Sequence, residues 1–294
     1  RGKPFFFAVG YYRPHLPFNA PKKYWDMYDR DAIPPATNDF VPKGSPPMAM
    51  NTNRELQSYA DLADAPRPDE GPLAEARARL LKHGYYASVS YTDAQIGRLL
   101  DRLDELDLAD ETIVVLWGDH GWKLGEHRGW CKMTNYEIDT RVPLIVRMPG
   151  AKENGKSCDR LVEFVDIYPA LCELAGVDAP AELEGTSFVP LLGDATRPWK
   201  KAAFSQFLRA GKWVAPDGAP YMGYTIRTDR WRLVQWYGWD EVKQARGGLA
   251  ATELYDHKTD PNENVNVAGL AENQDIIAEL AGQLDANRRA AAGD

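Results

Sequence analysis

Asp119 and His120 directly follow Gly118 and the apolar, β-branched run Thr-Ile-Val-Val-Leu-Trp at 112–117. A carboxylate beside an imidazole, just past the end of a buried strand, can ligate a divalent cation or hold an anion. Ligands of open α/β sheets bind at that end of the strands. Aspartate oxygen suits calcium or magnesium, and imidazole is a less usual partner for those ions. The competing reading is that Asp119 caps the following turn and His120 packs. His15 sits in Tyr-Arg-Pro-His-Leu-Pro-Phe at 12–18, where two prolines stiffen the backbone. An imidazole held this way can serve as a general acid or a hydrogen-bond donor, or be structural. Lys132 ends the segment Gly-Glu-His-Arg-Gly-Trp-Cys-Lys at 125–132. It can offer a point charge to a sulfate or phosphate oxygen, or remain a solvated surface lysine. His127 in that segment can orient other groups from behind, or be a loop residue. Trp122 can wall a sugar pocket, or bury itself.

These residues need elements to position them. The continuous apolar run at 5–9 predicts a buried strand of a parallel sheet. Residues 22–29 can form a short helix, and 31–71 is a long stretch rich in Pro, Asn, Asp and Gly. Such stretches are usually functional or disordered. Apolar periodicity predicts a helix over 73–106, interrupted at Gly84 into two segments. Residues 112–117 read as a central strand and 143–148 as another. A helix is expected over 164–175, with Asp166 as a candidate N-cap and Gly176 as the stop. Short strands follow at 202–208, 223–228, 231–237 and 252–255, with Asp229-Arg230 as a hairpin turn, then an amphipathic helix at 274–288. The fold class is α/β: a mostly parallel sheet sandwiched by helices, with a small C-terminal antiparallel sheet plus helix. The expected division is an α/β lobe over 1–198 and an antiparallel α+β subdomain over 199–294.

The net charge of −8 argues against a nucleic-acid surface, which needs clustered Lys and Arg. An anionic ligand would have to be held by a few local cations or a metal. Cys131, Cys158 and Cys172 are odd in number and far apart, so they form neither a disulfide framework nor a zinc site. No run approaches the roughly 18 apolar residues of a membrane span.

Several segments, in order along nearly the whole chain, together carry a resemblance. They are Phe-Phe-Phe-Ala-Val-Gly-Tyr-Tyr-Arg-Pro-His-Leu-Pro-Phe at 5–18, Tyr-Ala-Ser-Val-Ser-Tyr-Thr-Asp-Ala-Gln-Ile-Gly-Arg-Leu-Leu at 86–100, and residues 118–132. Val-Pro-Leu-Ile at 142–145, Met-Gly-Tyr-Thr-Ile-Arg-Thr at 222–228 and Glu-Leu-Tyr-Asp at 253–256 complete them. The sequence resembles the sulfatase family of the alkaline phosphatase-like superfamily, and within it the iduronate-2-sulfatase branch. The resemblance implies a sulfuric ester hydrolase that removes sulfate from a sulfated carbohydrate such as a glycosaminoglycan. It implies that Asp119 ligates calcium, with His120 beside it. It implies that His15 contacts the sulfate and protonates the leaving alcohol, and that Lys132 bridges a sulfate oxygen. Charge developing on the leaving group suits such a convergence of cations. Arg227, Trp236 and Trp239 are candidate sugar contacts, with Arg227 pairing a uronate carboxylate, unless they pack the small sheet.

The family's formylglycine nucleophile, made within Cys-x-Pro-Ser-Arg, and two further calcium-ligating Asp have no match in these residues. The expectation is that they lie upstream, on a preceding segment or a separate N-terminal chain, so that this chain holds half a site and binds calcium poorly alone. The resemblance also implies a periplasmic, secreted or lysosome-like setting. The alternatives are a phosphoric-ester or phosphonate hydrolase of the same superfamily, and a non-catalytic sulfated-glycan-binding fragment.

Overall fold

A computed structural model describes residues 3–292. In chain order, its α-helices are α1 Lys22–Trp25, α2 Arg54–Gln57, α3 Glu75–Glu105, α4 Glu137–Thr140, α5 Ile167–Ala175 and α6 Gln274–Ala292. Its strands are β1 Val114–Trp117, β2 Lys123–Leu124, β3 Trp130–Cys131, β4 Leu144–Arg147, β5 Ala202–Arg209, β6 Tyr221–Thr228, β7 Trp231–Asp240 and β8 Ala245–Asp256. Contacts group the chain into two units, one of Arg1–Thr37 with Leu73–Asp110 and one of Asn38–Pro72 with Glu111–Asp294.

The first unit is organised by α3, which packs against α1. Gly84 does not interrupt α3, contrary to the sequence expectation. The helix runs through it because Gly84 is a contact point rather than a break. A Cβ there would lie 2.9 Å from Phe18 Cβ and 2.9 Å from the Trp25 ring. Neighbouring polar groups close the same interface: His83 Nε2 bonds the Trp25 carbonyl at 2.8 Å and its Nδ1 accepts from Arg30 Nε at 3.1 Å. The expected strand at 5–9 is not formed. Phe5, Phe6 and Phe7 are 58%, 82% and 69% exposed. An apolar run measures capacity for burial, while a strand also needs a ladder partner, and no described residue supplies one here.

The second unit holds every ladder among the described residues. β1 pairs with β4 in the antiparallel sense, Trp117 opposite Leu144, so the run read as a central strand belongs to a two-stranded ribbon. β2 and β3 form a short hairpin. β5–β8 make a four-stranded antiparallel meander in sequence order, with the two-residue Asp229-Arg230 turn joining β6 to β7 as expected. Its two faces follow the period-two alternation of strands. Ile226, Leu233 and Leu254 pack under α6 against Leu280 and Leu284. Val234, Trp236 and Tyr255 face the other way, against Met48, Ala49, Met50 and Tyr136. The long stretch after residue 31 is thus ordered where it enters this unit, and it contributes core. Gly176 ends α5 in the left-handed region, as expected. Asp166 stands at the N-cap position of α5, as expected, but its side chain makes no cap hydrogen bond there. It closes a capping box with Glu163 one turn earlier.

The Gly84 contact can be decided by sign. In an uncrowded helix, Gly→Ala stabilises by about 1 kcal/mol. Here the added methyl overpacks, so Gly84→Ala should lower stability by about 1–3 kcal/mol in a chemical denaturation series.

Candidate functional site

β1 delivers Asp119 at its C-terminal end, and Gly118 N there donates to the Pro143 carbonyl at 3.1 Å. The turn that follows lies flat on α4. Gly121 N donates to the Asp139 carbonyl at 2.8 Å, and a Cβ on Gly121 would sit 1.8 Å from the Ile138 carbonyl oxygen, so only glycine fits. Lys123 and Asp139 then meet in the interior, Nζ to Oδ2 at 2.6 Å, with side chains 0% and 4% exposed. The same Oδ2 accepts from Thr134 N at 2.8 Å and Thr134 Oγ1 at 2.5 Å. Burial pushes the Lys123 ammonium below its usual range, and Asp139 offsets part of that.

His120 points its Nδ1 at the Gly121 carbonyl, 2.8 Å away. A carbonyl only accepts, so Nδ1 carries the proton and a neutral His120 keeps its lone pair on Nε2. That Nε2 lies 3.6 Å from Asp119 Oδ2, and the Asp119 side chain is 87% exposed. Two Lewis bases side by side, beyond hydrogen-bond distance, fit two ligands of one cation. No third His, Cys, Asp or Glu joins them at ligand spacing among the described residues. Calcium takes six to eight oxygen ligands, so the pair fits as part of a larger set.

Lys132 follows the β2–β3 hairpin, and the residues on either side of it, Cys131 and Met133, have φ of 69° and 82°. Non-glycine residues in this region persist only where the surroundings over-determine them. The clamps are visible. Asn51 Nδ2 donates to the Trp130 and Lys132 carbonyls at 3.1 and 2.7 Å, and Trp130 N donates to Asn53 Oδ1 at 2.9 Å. The Lys132 ammonium pairs directly with Glu55. It also lies 4.9 Å from the centroid of the Trp122 ring. The indole stacks on His120 as well, with centroids 5.9 Å apart and planes at 27°. Trp122 therefore contacts both His120 and Lys132 and is partly committed to holding them. Burial, then the Glu55 carboxylate, pushes the Cys131 thiol well above its usual range, so it is no nucleophile.

Asp119, His120, Lys132 and Arg227 all line one open cavity of about 1400 Å³, with Glu137 and Arg141. Arg227 is turned inward. Its Nε donates to Glu137 Oε2 at 3.0 Å, its Nη2 to His257 Nδ1 at 3.0 Å, and Nη1 is buried without a hydrogen-bond partner among the described residues. Two of its three nitrogens are thus committed to protein groups, which offsets part of the cost of desolvating the guanidinium. Trp236 is 0% exposed and donates Nε1 to Glu253 Oε1 at 2.7 Å, so it packs the sheet. Trp239 is half-buried on β7. His127 is buried, with its ring 4.7 Å from that of Tyr136. Its Nε2 bonds the Asn262 carbonyl at 2.8 Å rather than Asp119, His120 or Lys132.

His15 belongs to the first unit. Its Nδ1 lies 2.8 Å from the Leu16 carbonyl, so Nε2 carries the lone pair when the ring is neutral. The loop is anchored by buried Leu16 and Phe18 and by Thr92 Oγ1 donating to the Arg13 carbonyl at 3.2 Å. Sequence reasoning missed Glu55, Asn51, Lys123 and Asp139. Asn51 and Glu55 lie in the polar stretch with no periodic signal, and no spacing rule joins Lys123 to Asp139.

The family model described as Sulfatase matches residues 1–177, and that described as N-sulphoglucosamine sulphohydrolase, C-terminal, matches 125–290. The iduronate 2-sulfatase of Homo sapiens is 32% identical over 331 residues, covering 94% of this chain and 60% of that protein. The chain thus spans about 60% of the length of that relative. A solved structure of a protein in complex with its substrate D-glucosamine-2-N,6-O-disulfate superposes with a TM-score of 0.76 at 22% identity, covering 96% of this chain and 64% of that one. The phosphonate monoester hydrolase from Silicibacter pomeroyi superposes with a TM-score of 0.75 at 25% identity, covering 98% and 56%. No helix among the described residues is long and apolar enough to cross a membrane.

Burial, then the Lys123 ammonium, pushes His127 from 6.5 to about 4, against the hydrogen bond to the Asn262 carbonyl. The unfolded chain therefore binds a proton at His127 that the folded chain refuses. Stability should fall as pH drops from 6.5 to about 4, by on the order of 3 kcal/mol for this group. Denaturation midpoints measured across that window should flatten in His127→Gln. A second change, Asp139→Asn, leaves the Lys123 ammonium buried and unpaired, and should cost about 3–5 kcal/mol in the same assay.

Proposed function

Since the chain belongs to the sulfatase family, we propose that it acts in the hydrolysis of sulfate esters on sulfated sugars. The observation that carries this reading is the Trp122 ring, which contacts both His120 and the Lys132 ammonium beside one cavity. Lys132 holds a sulfate oxygen by a charge-assisted hydrogen bond. Asp119 and His120 would hold calcium as two of its ligands, and the ion would supply positive charge where the ester oxygen becomes negative. Trp122 keeps His120 and Lys132 in place while that charge develops. His15 spends its Nδ1 proton on the Leu16 carbonyl, so Nε2 is the atom that would take up a proton and pass it to the leaving alcohol. The finer reading, a 2-sulfated uronate, rests on the likeness to iduronate 2-sulfatase. It does not rest on Arg227, whose Nε and Nη2 are engaged by Glu137 and His257.

A second reading, hydrolysis of phosphonate or phosphate monoesters, is favoured by the phosphonate monoester hydrolase likeness. Calorimetric titration with inorganic sulfate and with methylphosphonate separates the two. Sulfate should bind more tightly, and Lys132→Ala should weaken it by roughly tenfold to a hundredfold, the value of one hydrogen bond to a charged group. Equal sulfate affinity in wild type and Lys132→Ala would sink the assignment of Lys132. Tighter binding of methylphosphonate would favour the second reading, as would faster turnover of an aryl phosphonate than of an aryl sulfate.

A further inference from the structure

A carboxylate beside an anion-holding lysine needs a reason, because on charge alone it repels the ligand. Glu55 is such a carboxylate. It pairs directly with Lys132, and both side chains are only 14% exposed. Ion pairs at the surface look different: Lys22 and Asp26 are 85% and 56% exposed. The Lys132–Glu55 pair is also built from one segment. Asn51 and Asn53, which clamp the backbone around Lys132, precede Glu55 on the same short stretch of chain. The ammonium is thus held by Glu55, by the Trp122 ring, and by a backbone fixed with left-handed residues on both sides.

We propose that Glu55 is a positioning residue for Lys132. It orders the lysine over Trp122 before any anion arrives. The proposal rests on the reading of Lys132 as the anion-holding cation. A lysine is a point charge on a flexible four-carbon stem, and ordering that stem on binding costs affinity. Glu55 accepts one of the three ammonium donors and fixes the direction of the others. The ordering gain outweighs the repulsion, because the paired charges are already drawn together and the stem no longer has to be frozen by the ligand.

The two effects predict opposite signs. If Glu55 acts only through its charge, Glu55→Gln removes a negative group and tightens inorganic sulfate. If Glu55 positions Lys132, Glu55→Gln weakens sulfate by roughly tenfold, about the worth of one ordered charge-assisted contact. Glu55→Asp, which keeps the charge on a shorter arm, should recover part of that loss. Thermal melts of the three proteins report whether each is folded at the temperature of titration. A second readout needs no sulfate: the acetylation rate of Lys132 by acetic anhydride, followed by mass spectrometry of its peptide. It should rise severalfold in Glu55→Gln as the side chain swings off Trp122, and less in Glu55→Asp. Unchanged acetylation, or tighter sulfate in Glu55→Gln, overturns the proposal. Raised acetylation in a protein whose wild type binds no sulfate upholds Glu55 as the holder of Lys132, and it is the sulfate reading that then fails.

Discussion

The buried pair between Lys123 and Asp139 is the constraint on which the site depends. Taking two charges out of water costs several kcal/mol per ion, and the attraction between them repays this only with further hydrogen bonds. Thr134 supplies those bonds through its amide and its hydroxyl, and Lys123 returns one to the Thr134 hydroxyl at 2.6 Å. The pair therefore locks three pieces of chain together: β2, the residues after β3, and α4. Asp119 and His120 lie four and three residues before Lys123, and Lys132 lies two before Thr134. Each is too near its anchor to wander.

A second network secures α4 from the other side. Glu137 accepts from Arg227 and Arg232, Arg232 pairs with Glu263 at 2.5 Å, and His257 Nε2 lies 2.8 Å from Glu263. Burial would raise the Glu263 carboxyl, but Arg232 and His257 hold it down to about 2. It therefore stays ionised and keeps Arg232 satisfied. The four-stranded sheet thus does more than add stability. Its strands β6 and β7 carry the arginines that fix α4, and α4 carries Asp139. This explains why Arg227 is turned inward although it borders the cavity.

The cations at the cavity are local, in a chain whose net charge is −8. Lys132 is held by one carboxylate and one indole, and Arg227 and Arg232 are tied to Glu137. Selectivity in such a site comes from where a few charges are placed rather than from a broadly basic surface.

The residue types that could do chemistry and most of the local elements are legible along the chain. The helix over α3, the strands β4 to β7, the end of β8 at 252–255, the Asp229-Arg230 turn and the Gly176 stop all follow from periodicity and from residues with particular backbone freedom. Those signals are local, so they survive without knowledge of neighbours. What those elements meet depends on the folded chain. The apolar run at 5–9 is suited to a strand, yet it has no ladder partner among the described residues. Gly84 looks like a break until Phe18 and Trp25 press against it. Trp122 and Trp236 are the same residue type. One contacts His120 and Lys132, and the other fills the core of a sheet, because their chain segments meet different neighbours. Glu55 and Asp139 left no mark in the sequence, since ion pairs such as Glu55 with Lys132, 77 residues apart, and Asp139 with Lys123 are properties of the folded chain and not of spacing.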